Sequence, residues 1–248
     1  MKKRAFTALV VFALAACGGG SSSGPSGAVL PAAKQSTALL TVSIPAKSTA
    51  GRALRYVSPN AQSLTVAVNG AAPAATANIT PGSGGCTTSG GATTCQVSVT
   101  APVGNDTFAI VLYSGTNGSG SALASSTVTA DISASGSTPL NVTLNGVVST
   151  IAILLATNAP PIGTPASIPV TVVAKDASGA TIISPGAYAP AIALTNSDTS
   201  GHATLSTTTV NDPSVAVTLN YDGSAALKSA TISASVAGTI TSVTPAVL

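Results

Sequence analysis

The chain has 248 residues, with 9 basic and 6 acidic side chains making up 6% of it, against about a quarter in an average soluble domain. Every acidic residue is Asp, one His and no Trp occur, and 34 Thr and 33 Ser supply the polar material instead. This inventory excludes a metal cluster built on His or Glu, a basic nucleic-acid surface and a charged coiled coil, and it leaves little for acid–base catalysis.

The N-terminus reads Met1-Lys2-Lys3-Arg4, followed by an apolar run from Ala5 to Ala16. A short basic segment ahead of about 7–15 apolar residues is the secretory signal pattern. The run falls short of the ~20 residues that span a bilayer. It ends Leu14-Ala15-Ala16-Cys17, which resembles the lipobox of bacterial lipoproteins. That resemblance implies a signal peptide over 1–16, cleavage before Cys17, lipid on the Cys17 sulfur and acylation of the new N-terminus. Several acyl chains give stable anchoring where one is marginal. The expected location is therefore the cell envelope, with the membrane as a partner through Cys17. Gly18, rather than Asp, follows the Cys. In a Gram-negative cell the resemblance then implies the outer membrane, with the chain facing the periplasm or the surface.

Cleavage would remove Lys2, Lys3 and Arg4. Six basic residues (Lys34, Lys47, Arg52, Arg55, Lys175, Lys228) would then face six Asp (106, 131, 176, 198, 212, 222). The +3 of the whole chain would disappear, so it argues for no nucleic-acid partner. Residues 18–27 are Gly, Ser and one Pro. Residues 17–36 are accordingly expected to form a flexible tether with a reach of roughly 25 Å.

Beyond the tether no helical period is sustained. Short runs of Val, Ile and Thr recur between Gly, Pro, Asn and Asp, which is the all-β signal. The first half predicts strands near Ala38–Ile44, Ser63–Val68, Thr94–Thr100, Thr107–Tyr113, Ala122–Ile132 and Leu140–Leu144. The second half predicts Thr150–Leu155, Pro169–Lys175, Ala180–Ser184, Ala191–Thr195, Ala203–Ser206, Ser214–Tyr221 and Ala230–Val236. Asn69-Gly70, Asn145-Gly146 and Asp176–Gly179 read as turns. The blocks Thr65–Gly70, Asn141–Gly146 and Ala216–Tyr221 echo one another with Asn spacings of 76 and 75. Two or three related units would explain the echo; common strand–Asn–Gly hairpin chemistry is the favoured explanation.

A break near Gly146–Ser149, or slightly later at Pro160-Pro161, gives two units of immunoglobulin-sandwich size, taken as 37–147 and 148–248. From Ile168 the run Val170-Thr171-Val172-Val173-Ala174-Lys175-Asp176-Ala177-Ser178-Gly179 resembles bacterial immunoglobulin-like modules. The expected fold class is all-β, with two immunoglobulin-like β-sandwich domains after the signal peptide and tether.

Cys86 and Cys95 enclose a Gly-rich stretch that reads as a loop with no strand pattern of its own. If Cys17 carries lipid, these two are left to pair. In an oxidising compartment a disulfide is the expectation, worth at most ~3 kcal/mol. A redox pair favours closer spacing, and a metal site needs more ligands.

Catalytic candidates are few. Asp198, Ser200 and His202 could be drawn as a triad, but a single loop rarely supplies all three groups. Gly20–Gly24 fits G-x-S-x-G but lies in the tether, without the strand–turn–helix context the motif requires. Asp198 or Asn105-Asp106 could offer oxygens to calcium, but no Asp-x-Asp-x-Asp-Gly loop exists. No cofactor is expected. Arg52, Arg55 and Tyr56 form the one basic–aromatic cluster. Tyr188 lies in Pro185-Gly186-Ala187-Tyr188-Ala189-Pro190, a loop that could present it. These four are the candidate contact patch. The expected function is a membrane-anchored structural or protein-interaction module without catalysis. The alternatives are a surface adhesin for a glycan or envelope or surface protein, and a hydrolase on a β scaffold.

Overall fold

The computed structural model describes residues 33–45, 57–236, 242–244 and 246–247. These residues form strands and connections, with no helix among them.

Chain order begins with β1 (Gln35–Ile44), β2 (Ser63–Val68), β3 (Pro73–Asn78), β4 (Cys86–Ser89) and β5 (Ala92–Pro102). It continues with β6 (Gly104–Tyr113), β7 (Ala122–Ile132), β8 (Ser137–Leu140) and β9 (Asn145–Val147). One sheet has the order β4-β5-β1-β8, and a second has β12-β9-β7-β6-β2-β3, where β12 is Tyr188–Ala189. The later strands are β10 (Thr150–Leu155), β11 (Ala166–Lys175), β13 (Ile192–Asn196), β14 (Ala203–Leu205) and β15 (Thr209–Val210). They are followed by β16 (Val217–Tyr221), β17 (Thr231–Val236), β18 (Ser242–Thr244) and β19 (Ala246–Val247). Their sheets run β14-β16-β11-β10-β18 and β15-β13-β17-β19.

The alternation in the sequence explains the layers. In β6, Asp106, Phe108, Ile110 and Leu112 are buried, while the intervening Thr107, Ala109 and Val111 are less so. In β5, Cys95, Val97, Val99 and Ala101 are buried between exposed Gln96, Ser98 and Thr100. A pleated strand sends successive side chains to opposite faces, so this spacing gives one dry and one hydroxyl-rich face. The dry residues of both sheets join one apolar core that includes Leu40, Leu64, Phe108, Ile110 and Leu123. β1 pairs with β5 over its full length, from Gln35↔Pro102 to Ile44↔Thr93.

Four expectations need correction. Asn145-Gly146 is strand β9, between β7 and β12, and not a turn. Its hydrogen bonds are already spent: Ala187 N–H donates to Asn145 Oδ1 at 3.0 Å, and Gly146 N–H donates to Ala187 O at 2.9 Å. Neither Leu140–Leu144 nor Ala180–Ser184 is a strand. The parallel pairing of β8 with β1 stops at Leu40↔Leu140, and 180–184 keeps only an isolated bridge at Thr181. There Ile182, 2% exposed, turns inward over Gly146. The stretch enclosed by the cysteines is a hairpin, not a structureless loop. Cys86 and Cys95 face each other across β4 and β5 and are joined by a disulfide with Cα atoms 4.0 Å apart. Gly90 and Gly91, both at positive φ, make its tip.

The Asn69-Gly70 turn does form. Both residues have positive φ, 52° and 72°, and Ala71 N–H donates to Val68 O at 3.0 Å. The related block Ala216–Tyr221 lies in and just before β16, where Asn220 is a strand residue.

Candidate functional site

The six carboxylates are the scarce chemical resource of this chain, and the turns consume most of them. Asp106 lies in β6 at 3% exposure. Asn69 Nδ2 donates to its Oδ1 at 2.6 Å, and Thr107 N–H donates to Asn69 Oδ1 at 2.9 Å. Asp131 is exposed in β7.

The other four Asp share one local sequence, Asp-x-Ser, at 176–178, 198–200, 212–214 and 222–224. A short carboxylate closes such a turn by accepting the N–H two residues on. It does so from Ser178, Ser200, Ser214 and Ser224, at 2.8 Å in each case. In the first three the serine hydroxyl folds onto the same oxygen: Ser178 Oγ at 2.6 Å from Asp176, Ser200 Oγ at 2.5 Å from Asp198, and Ser214 Oγ on Asp212.

The fourth turn differs. β14 pairs with β16 at Ala203↔Tyr221, which sets His202 beside Asp222. His202 Nδ1 lies 2.7 Å from Asp222 Oδ2, and Ser224 Oγ lies 3.5 Å from His202 Nε2. Asp222 N–H donates to His202 O at 3.0 Å, so the backbone holds the pair in place. The histidine and aspartate side chains are 29% and 49% exposed. The Asp198–Ser200–His202 grouping does not form as a relay. Ser200 Oγ bonds Asp198, and the His202 ring turns away to Asp222. The sequence offered His202; its actual partners lie 20 and 22 residues away, across the sheet.

Three of the turn carboxyls, Asp198, Asp212 and Asp222, resist protonation. The Ser200 hydroxyl, then the Ala203 N–H, holds Asp198 down to about 2. Asp212 is lowered chiefly by Ser214, and Asp222 chiefly by His202. A carboxyl whose folded pKa is depressed contributes stability above its unfolded pKa of about 4. That contribution fades as pH falls through the folded value. Asp198→Asn should therefore lower the melting temperature at pH 6, and the gap to wild type should close between pH 4 and pH 2. A gap that stays constant with pH would show that the carboxylate's charge is irrelevant.

Tyr188 is not presented to solvent. It is 5% exposed in β12, paired with Gly146, and its N–H donates to Asn211 O at 2.7 Å. Burial, with Asp212 nearby, pushes its phenol up to about 12. The strand pairing that β12 makes is what draws the ring in, and the contact patch loses this member. Arg52, Arg55 and Tyr56, like Cys17, lie outside the described residues.

An apolar groove of about 410 Å³ opens beside β1, lined by Leu40, Val42, Val57, Ile110, Leu140 and Leu144. No group of three His, Cys or Asp side chains converges as a metal-ligand set among the described residues.

No protein-family model matches the chain, and no curated protein sequence matches it. Solved structures similar to it include apo β-glucuronidase 3 of Bacteroides uniformis, at 14% identity and TM-score 0.28, covering 76% of this chain and 21% of that one. A β-glycosidase from Bacteroides vulgatus is 10% identical with TM-score 0.30, covering 85% and 24%. The Escherichia coli adhesin FdeC is 16% identical with TM-score 0.28, covering 87% and 63%. The chain thus spans about a fifth to a quarter of the two glycosidases and less than two thirds of the adhesin.

Proposed function

We propose that the chain is a lipid-anchored lipoprotein of the cell envelope that serves as a structural or protein-interaction module. The observation that carries this reading is the use of its carboxylates. Asp106, Asp176, Asp198, Asp212 and Asp222 all accept hydrogen bonds that shape or brace a turn or strand. At Asp106, Asp176, Asp198 and Asp212 the polar chemistry is spent on turns and strands, as in a scaffold. The sequence supports the anchor through Leu14-Ala15-Ala16-Cys17 and the Gly/Ser tether. The adhesin is the second reading. The apolar lining of the groove beside β1 favours a protein ligand over a glycan.

The test is cross-linking on intact cells followed by affinity capture of the full-length protein, alongside Cys17→Ser. The expected result is a membrane-fraction protein with a specific cross-linked partner, and both are lost in Cys17→Ser. Capture of only further copies of the chain would leave a passive spacer and remove the adhesin reading. A soluble wild-type protein would overturn the anchor.

A further inference from the structure

The fourth Asp-x-Ser turn carries an inference independent of the interaction reading. In three turns the serine hydroxyl is bound to its own aspartate, a carboxylate and so a much weaker base than an imidazole. At 222–224 an imidazole stands between carboxylate and hydroxyl. With Nδ1–H donating to Asp222 Oδ2 at 2.7 Å, the tautomer is set and Nε2 is left as an acceptor. Ser224 Oγ, at 3.5 Å, is within the looser range that nucleophile–base pairs show before substrate binds.

Contacts on both sides fix the turn around Ser224. Ala226 N–H donates to Ser224 Oγ at 3.2 Å. On the other side, Gly163 N–H donates to Gly223 O at 2.8 Å, and its neighbour Ile162 is 73% exposed, an apolar step beside the loop. Gly223 has φ +87°, and a Cβ there would lie 2.9 Å from Thr164 N. The turn that carries Ser224 is therefore held in one shape.

We infer that Ser224 is an activated nucleophile, with His202 as its general base and Asp222 as the residue that positions His202, and that it cleaves small, unhindered carboxylic esters. The Ser224 hydroxyl proton passes to His202 Nε2 as Oγ bonds the acyl carbon. The ester C–O bond breaks, and the alcohol leaves with that proton. Water then attacks the acyl-serine carbon and gives a proton to Nε2; the acyl–Oγ bond breaks, that proton passes from Nε2 to Ser224 Oγ, and the acid is released. The sum is ester plus water to acid plus alcohol, with no further reactant. The exposure of the cluster leaves it without an enclosing pocket, so the reaction is slow and unselective among short esters.

The probe is an alkyl fluorophosphonate on the intact, folded full-length protein, read by peptide mass spectrometry. Oγ–P forms, P–F breaks, and fluoride leaves. The expected result is phosphonylation at Ser224 and not at Ser178, Ser200 or Ser214, the same turn without the imidazole. His202→Gln should slow labelling about 100-fold, Asp222→Asn should slow it less, and both should lose p-nitrophenyl acetate hydrolysis in proportion. A Ser224→Ala protein with an unchanged circular dichroism spectrum should show neither labelling nor hydrolysis. Absent labelling of wild-type Ser224, or equal labelling of the four turn serines, would overturn the inference. So would a His202→Gln protein that labels at the wild-type rate. The wild-type site map needs no variant to fold.

Discussion

Gly146→Val should destabilise the protein by about 3 kcal/mol, a fall in Tm on the order of 10 °C for a chain of this size. Gly146 sits in β9, between β7 and β12. A Cβ on it would lie 2.6 Å from both Cγ1 and Cγ2 of Ile182 and 2.8 Å from Cδ1. Ile182 cannot swing clear, because it is 2% exposed and its N–H is tied to Ala174 O at 2.9 Å. Close-packed interiors resist such overfilling. The discriminating measurement is a double-mutant cycle by urea denaturation. Gly146→Ala should cost about 2 kcal/mol alone and nearly nothing more in an Ile182→Ala background. Additive losses would mean that the two residues do not share space. The clash lies where later chain meets earlier chain, since Tyr188 pairs with Gly146 across the same strand. A second, partial unfolding step, with Tyr188 titrating nearer 10 than 12, is the spectroscopic sign that β12 has come away.

Asn69→Ala should cost a further about 3 kcal/mol at an unrelated place. Asn69 holds φ 52° in the β2–β3 turn, where Ala pays roughly 1 kcal/mol. Its amide also donates to Asp106 Oδ1 at 2.6 Å and accepts from Thr107 N–H at 2.9 Å. Asp106 is 3% exposed, and its Oδ2 has no partner in the described structure. Removing the amide strands a buried carboxyl, and leaving a buried polar group unsatisfied costs about 1–3 kcal/mol. Asn69→Gly separates the two effects, because it relieves the backbone and still loses the side-chain bonds. It should recover only about a third of the loss. Full recovery by Gly would show that the turn conformation alone matters.

The strands that the sequence revealed are those whose apolar alternation is long enough to read. β2, β7 and β10 occupy the predicted spans. β3, with the sequence PAATAN, no fully buried residue and only Ala75 and Ala77 against the core, is an edge strand held chiefly by its partner β2. It left no periodic mark. β4 is mostly exposed and is fixed by pairing with β5. Tertiary pairing also overrode local chemistry at Asn145-Gly146, a strong turn signal pulled into a sheet by β7 and β12. The same limit governs the cluster at His202. Asp198, Ser200 and His202 are close in sequence, so sequence reading grouped them. The register of β14 on β16, which brings up Asp222 and Ser224 instead, is a property of the pairing and is invisible in any one segment.

The wet faces of these sheets carry hydroxyls, and charged side chains are only 6% of the sequence. Dissolved ions act on a protein mainly through its fixed charges. With so few to screen, the sheets meet fresh water and brine on nearly equal terms. An outward-facing layer built in this way owes its hold to shape and dryness inside, and the ionic weather of its surroundings passes over it.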